Sequence, residues 1–392
     1  YGRITGRAGV CLATSGPGAT NLITGIANAY LDSVPMVAIT GQVPQTLMGT
    51  DAFQETDIFG MTMPIVKHSI IVRRPEDIPS AMAEAFAIAE GGRPGPVLVD
   101  LPKDVQQAVC EPGALRRPEA DILPAPTSES IAEAERLIAR AKKPLFYLGG
   151  GVARANASEM VRRIVEESGI PAVATLQGLG VLPPEHPAML GMLGMHGHRP
   201  ANMAVQECDL LIVLGARFDD RATGKLAEFA PHASVVHIDV DAAELGKLRF
   251  AHAAVCGNLK SSLATIDFEK GEIDAWTRST AEIREKHAPR YDAPGNGIYA
   301  PAMLKTLSER VGDDFVVACD VGQHQMWVAQ HCRFSRPQAH LTSGGLGAMG
   351  FGLPAAIGAK LAEPDSHVFA VCGDGGFQMN IQELATLRRY QI

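Results

Sequence analysis

What this chain lacks narrows its class first. Its seven cysteines (Cys11, Cys110, Cys208, Cys256, Cys319, Cys332 and Cys372) stand singly and never as CxxC. That excludes a zinc knuckle and a disulfide framework, and points to a reduced compartment, the cytoplasm. No basic block occurs, and 43 acidic against 35 basic residues leave a net charge of −8. Neither nucleic acid nor a membrane is therefore expected as a partner. The longest apolar runs, such as Cys208–Gly215, fall far short of the roughly 20 residues that span a bilayer. There is no GxSxG, P-loop or HExxH string, which removes the common hydrolase and NTPase signatures. Gly149-Gly150-Gly151 lacks the GxGxxG spacing, so an ordinary NAD site is unsupported. Tandem repeats and low-complexity segments are also absent.

What is present is an α/β pattern. At 392 residues, 46% hydrophobic and 20% charged, the chain is too apolar for disorder and long enough for two or three domains. Short apolar runs at Val10–Thr14, Pro35–Thr40, Pro96–Asp100, Pro144–Leu148, Pro171–Thr175, Leu210–Leu214, Val235–Asp239, Phe315–Cys319 and His367–Val371 read as strands buried on both faces. Between them, Pro79–Glu90, Ser128–Ala141, Ala157–Ser168 and Pro301–Arg310 carry the three- and four-residue spacing of amphipathic helices. Two stretches read as linkers: Glu111–Pro126, with four prolines, and Glu269–Gly297, charged and without a convincing strand. They divide the chain into 1–110, 127–268 and 298–392. It opens at Tyr1 with neither Met nor a signal peptide and stops at Ile392 inside a helical pattern, so an internal fragment is expected.

Several glycine-rich strings follow strands. Ser15-Gly16-Pro17-Gly18-Ala19-Thr20-Asn21 offers N–H groups at a helix start, suited to a polar or anionic ligand or simply to a tight turn. Val371-Cys372-Gly373-Asp374-Gly375-Gly376 puts a carboxylate between glycines at a strand's carboxyl end, either a Mg²⁺ ligand beside a phosphate or a capped turn. Residues 341–352 have glycine at five of twelve positions, with Leu346 and Met349 between them. A planar ligand can lie against such backbone. In the middle segment Met192–His198, Gly215–Gly224 and the strand-ending Asp239 together sketch a dinucleotide site, with Arg217 and Arg221 available to a diphosphate or a carboxylate. Met192 and Met195 suit core packing equally. His68, His186, His232, His252 and His287 have no partner at metal spacing and read as surface or satisfied core residues.

In combination the strings are far more specific. ATSGPGATN (13–21), DAFQETD (51–57), RPGPVLVDLPKD (93–104), MLGMHG (192–197), RFDDRATGK (217–225), DVGQHQMW (320–327), LTSGGLGAMGFGLPAAIGA (341–359) and GDGGFQMN (373–380) occur in this order along the whole chain. They closely resemble the large catalytic subunit family of acetolactate synthase (acetohydroxyacid synthase), thiamine-diphosphate enzymes that also bind Mg²⁺ and FAD. The resemblance implies three doubly wound parallel-sheet domains: pyrimidine-binding (1–110), central FAD-binding (127–268) and diphosphate-binding (298–392), the first and last incomplete. It implies decarboxylation of pyruvate on the cofactor and joining of the two-carbon unit to pyruvate or 2-oxobutyrate, in branched-chain amino acid synthesis. It also implies a homodimer or tetramer with active sites shared between subunits, and a separate regulatory small subunit in some members.

Carried over position by position, Asp374 resembles the Mg²⁺ ligand, flanked by Gly373 and Gly375. Gln323 and His324 resemble diphosphate contacts, and Gly347 and Met349 the backbone contact and apolar wedge that bend the cofactor. Phe53, Gln54 and Lys103 resemble residues of the active-site entrance. Val321 and Arg221 resemble those that place the second keto acid. Arg93, Met195, His196, Arg217, Asp239 and Asn258 fall where the family holds FAD. The family's catalytic Glu would precede Tyr1, and its second Mg²⁺ ligand follows the Asp by more than the eighteen residues left here. The 392 residues alone are therefore expected to be inactive. Glyoxylate carboligase, a pyruvate oxidase and a flavin-binding piece without catalysis are the alternatives.

Overall fold

The computed structural model describes residues 1–111, 115, 118, 123, 125–292 and 296–392. The chain forms two compact units: Tyr1–Ile122 with Ser343–Pro364 and Met379–Ile392, and Leu123–Thr342 with Asp365–Gln378.

In the first unit β1 (Gly9–Ala13), β2 (Met36–Gln42), β3 (His68–Ile71) and β4 (Pro96–Pro102) make a parallel sheet in the order β1-β2-β4-β3. The central β4 buries Val97, Leu98 and Val99 completely, as expected of a strand covered on both faces. The helix Ile78–Glu90 lays Ala81, Ala85 and Ala89 on that sheet at four-residue spacing, small side chains that allow close approach. β1, at the edge, alternates and leaves Val10 and Leu12 exposed. β2 and β4 stay in register to their ends, with Gln42 opposite Pro102, so the segments after them emerge side by side.

The second unit has two parallel sheets. β5 (Pro144–Leu148), β6 (Ala172–Ala174), β7 (Met189–Met192), β8 (Leu210–Leu214), β9 (Ser234–Asp239) and β10 (Ala253–Cys256) are ordered β7-β6-β5-β8-β9-β10. Strand order reverses between β5 and β8, which is where open α/β sheets form a ligand crevice. The two strand ends meet there through glycine. Gly149 N–H donates to Leu214 O (2.9 Å), Gly151 N–H donates to Gly215 O (3.0 Å), and Gly215 has φ +56°. A Cβ on Gly149 would lie 2.0 Å from Gly215 O. The smaller sheet is β12-β11-β13, built from β11 (Phe315–Cys319), β12 (His340–Thr342) and β13 (His367–Val371).

The four predicted helices are found at Ile78–Glu90, Ser128–Arg140, Ser158–Ser168 and Ala300–Val311. One stretch differs: within Glu269–Gly297, read as a linker, lies the helix Asp274–Lys286. Its few apolar residues escape notice among charges. Trp276 is nevertheless buried, and its Nε1–H donates to Pro144 O (2.9 Å), fixing the helix to β5. The other predicted linker falls largely outside the described residues. No helix among the described residues is long and apolar enough to cross a membrane.

Candidate functional site

In the second unit the site begins where β11 and β13 end together. Cys319 pairs with Val371, and Asp320 N–H donates to Val371 O (2.9 Å). Immediately beyond, the chain turns at Gly322 into the helix Gln323–His331, and at Gly373 into the helix Asp374–Met379. The two turns pack closely. A Cβ on Gly373 would sit 3.2 Å from His324 Cε1, and one on Gly376 would sit 2.8 Å from the Asp320 carboxylate. Asp320 is buried and its Oδ1 accepts Val321 N–H (2.7 Å), which shapes the first turn. Val321, Gln323, His324, Gly373, Asp374 and Gly375 are thus brought together at one sheet end. The Asp374 side chain is exposed, with Oδ1 accepting Gly375 N–H (2.8 Å). His324 Nε2 is buried without a protein hydrogen-bond partner.

This set suits a diphosphate bridged to the protein by a divalent cation. The glycines leave backbone bare, two helix starts face the turns, and one carboxylate stands beside them. No group of three His, Cys, Asp or Glu residues able to hold a metal occurs among the described residues. A cation here would share Asp374 with phosphate oxygens, as Mg²⁺ does.

The same unit carries the flavin candidates Met195, His196, Arg217, Asp239 and Asn258 at or just beyond the carboxyl ends of β7, β8, β9 and β10. Two of the sequence motifs are pinned to each other: Met195 N–H donates to Arg221 O (2.8 Å), and Arg221 Nη1 reaches Met195 Sδ at 3.5 Å. Gly194 is needed at this contact, because a Cβ there would lie 2.4 Å from Arg221 O. His196 O accepts Gln330 Nε2–H (2.6 Å). Arg217 and Phe218 follow β8. Phe218, at φ +57°, turns its ring into a buried cluster with Tyr147, Phe229 and His237. Desolvation lowers the His237 pKa, and its Nε2 bonds Ala216 O (2.9 Å). Asp239 ends β9 and accepts Asp241 N–H (2.9 Å). Asn258 caps the helix Leu259–Thr265, its Oδ1 accepting Lys260 N–H (3.0 Å) and Ser261 N–H (3.4 Å). Met192 is core, whereas Met195 is exposed.

In the first unit, Phe53 and Gln54 follow β2, and Lys103 follows β4. Phe53 is 89% exposed. Gln54, at φ +61°, backs onto the Gly16 turn, where a Cβ would meet Gln54 O at 2.8 Å. Lys103 is exposed and opens the short helix Lys103–Gln107. Gly347 (φ +69°) and the half-exposed Met349 lie in the glycine-rich loop. Arg93 is in this unit too, with Nε–H donating to Ser33 Oγ (2.9 Å).

Reading the sequence missed a buried polar network beneath the Phe53 loop. Asp100 on β4 accepts from Thr40 Oγ1–H (2.7 Å) and Gln42 Nε2–H (3.1 Å), and Gln42 Nε2–H also donates to Thr56 O (2.8 Å). Burial pushes the Asp100 carboxyl above the ordinary carboxylate range, the two hydrogen bonds opposing it. The Met192–His198 string was singled out, but not the bridge its last residue makes: His198 Nδ1 accepts Met192 N–H (3.1 Å), so Nε2–H faces Gln330 O (3.1 Å). Polar residues inside apolar strands are the only local signal for the first. For the second, the bond to Gln330 spans 132 residues and leaves no local signal.

The thiamine pyrophosphate enzyme N-terminal TPP binding domain profile matches residues 1–61, the central domain profile residues 131–266, and the C-terminal TPP binding domain profile residues 320–392. The fold and these matches define a thiamine pyrophosphate enzyme chain, with three α/β parallel-sheet regions. Among curated proteins, the Escherichia coli acetolactate synthase isozyme 2 large subunit is 53% identical over 392 residues, covering 100% of this chain and 71% of that protein. The isozyme 1 large subunit of the same organism is 48% identical, covering 100% and 70%. The Corynebacterium glutamicum acetolactate synthase large subunit is 49% identical, covering 98% and 63%. The chain belongs to the family of acetolactate synthase large subunits.

Proposed function

We propose that the protein carrying this chain is a cytoplasmic carboligase that joins the two-carbon unit of decarboxylated pyruvate to a second 2-keto acid. The product is 2-acetolactate from pyruvate, or 2-aceto-2-hydroxybutyrate from 2-oxobutyrate, on the route to branched-chain amino acids. The observation that carries this reading is the pair of glycine turns at the ends of β11 and β13, with Asp374 exposed and His324 Nε2 buried between bare backbone. Bound thiamine diphosphate supplies the electron sink that decarboxylation of a 2-keto acid requires.

The chain's own residues bind, orient and exclude water. Asp374 would hold Mg²⁺, and Gln323, His324, Gly373 and Gly375 would take the diphosphate through side chains and backbone N–H groups. Gly347 presents bare backbone and Met349 an apolar wedge to the organic part of the cofactor. The Arg221 guanidinium pairs with the carboxylate of the second keto acid, with Val321 bounding its place. Phe53, Gln54 and Lys103 line the entrance. Met195, His196, Arg217, Asp239 and Asn258 would hold FAD at the β5/β8 crevice, and Arg93 of the first unit resembles a further flavin contact of the family. The domains run 1–110 for the pyrimidine-binding part, 127–268 for the FAD-binding part and 298–392 for the diphosphate-binding part. Catalytic subunits associate as a homodimer or tetramer, to which a regulatory small subunit can bind.

Product analysis tests the reading. The whole protein, given pyruvate, yields acetolactate. Tartronate semialdehyde from glyoxylate, or acetyl phosphate from pyruvate and phosphate, would overturn it in favour of a carboligase of other specificity or an oxidase.

A further inference from the structure

The helix Ile23–Leu31 ends at Asp32, whose side chain is only 1% exposed. A carboxylate at a helix carboxyl end sits at the negative pole of the helix dipole, and burial removes its water. It is stable there only with strong donors around it, and the structure supplies three. Arg3 Nη2 lies 2.9 Å from Oδ2. Gly344 N–H donates to Oδ2 (3.0 Å) and Gly345 N–H to Oδ1 (2.8 Å). Two of these donors belong to backbone more than three hundred residues away in sequence.

One helical turn earlier, Asn28 Oδ1 accepts the hydroxyl of Ser343, and Ser343 Oγ in turn accepts Ala348 N–H (2.9 Å). A hydrogen-bond chain therefore runs from the helix through Ser343 to the interior of the loop. Glycine at 345 is what permits the approach: a Cβ there would lie 2.8 Å from Leu31 Cβ and 3.2 Å from Asp32 Oδ1. The far end of the loop is held by Asn380, whose Nδ2–H donates to Gly350 O (2.6 Å). Between these anchors lie Gly347, at φ +69°, and Met349. With five glycines in twelve residues, the segment has no stiffness of its own. Its shape is imposed from outside.

We infer that Asp32, assisted by Asn28, is a positioning residue that sets the conformation of the loop Ser343–Gly350 and thereby the presentation of Gly347 and Met349 to thiamine diphosphate. The second half of this inference rests on the function proposed above. The first half stands on this unit alone.

The test uses the whole protein with thiamine diphosphate and Mg²⁺, comparing the parent with Asp32→Asn and Asn28→Ala. Two quantities are read: backbone amide hydrogen exchange of peptides covering 343–350, and exchange of the C2 proton of the bound cofactor by NMR. Asn at 32 loses the charge and turns an amide NH₂ toward one of its donors, so loop amides exchange about tenfold faster or more. Cofactor C2 exchange slows by a similar factor, while peptides of β2 and β4 are unchanged. Asn28→Ala removes one acceptor and moves both readings in the same directions by a smaller factor; it decides the matter if Asp32→Asn does not fold. Unchanged loop exchange overturns the anchoring. A faster loop with unaltered C2 exchange overturns the positioning role. If the parent binds no thiamine diphosphate, the proposed function fails, and the loop-exchange arm still judges the anchor.

Discussion

Replacing Gly149 by Ala tests the close meeting of β5 and β8 on which the central crevice depends. Gly149 has φ −102° and ψ 176°, an extended backbone that alanine adopts freely, so the penalty is steric rather than conformational. The added Cβ would lie 2.0 Å from Gly215 O and 2.6 Å from Ala216 Cβ. Carbon atoms pack best at about 3.5–4.0 Å, so the strand ends must part by roughly 1 Å. Opposing that are the hydrogen bonds Gly149 N–H to Leu214 O and Gly151 N–H to Gly215 O. Overpacking costs about 1–3 kcal/mol, and weakening two hydrogen bonds adds about 1 kcal/mol each. Loss of glycine's freedom in the unfolded chain returns about 0.4–1 kcal/mol. The net expectation is about 2–4 kcal/mol of destabilisation, which at a slope of about 2 kcal/mol/M lowers the urea midpoint by about 1–2 M. Both tryptophans, Trp276 and Trp327, belong to this unit, so their fluorescence reports its unfolding. If FAD binds in this crevice as proposed, the same variant also retains less flavin, since the crevice opens. A midpoint shift below about 0.3 M would refute the reasoning.

Three further outcomes are expected. Because Asp100 is raised by burial, the folded chain keeps its proton over a pH interval where the unfolded chain has lost it, so this group's stabilising contribution is full below about pH 4 and is lost as pH rises through the folded value. Asp100→Asn therefore flattens the fall of melting temperature above pH 4, and parallel profiles for the two proteins would contradict this. Asn258→Ala costs about 1 kcal/mol through the lost helix cap, whereas Asn258→Asp keeps the cap, so reduced flavin retention in both variants would support the proposed binding role of the amide. Trp276→Phe removes the bond to Pro144 O and costs about 1 kcal/mol, measured by thermal unfolding; no loss would show that the helix Asp274–Lys286 is held by its apolar contacts alone.

The architecture was legible wherever burial was two-sided. β5, β8 and β11 are five-residue apolar runs buried at every position, and each was read from sequence with the bounds the structure gives. β3, β7, β10 and β12 were not read: they have three or four residues, two contain His, and each is an edge strand paired on one side only. The helix Asp274–Lys286 was hidden because its buried face is one tryptophan and a threonine among charges. Motifs announced themselves through glycine, and the structure gives the reason at Gly16, Gly149 and Gly373, where backbone or a ring stands where a side chain would be. What supports those turns was silent. Asp100 is bonded by Thr40, sixty residues away, His198 faces Gln330 across 132 residues, and Asp32 is bonded by Gly344 across 312, and no local spacing encodes such partnerships.

In the function proposed above, this chain serves a cofactor-dependent carboligase whose cation Asp374 would hold. The most direct test of that function is acetolactate formation from pyruvate by the whole protein, with thiamine diphosphate, Mg²⁺ and FAD omitted one at a time, and with Asp374→Ala alongside. Activity that needs all three cofactors and disappears in the variant is predicted. A folded protein that binds thiamine diphosphate yet makes no acetolactate, or a variant as active as its parent, would contradict the account.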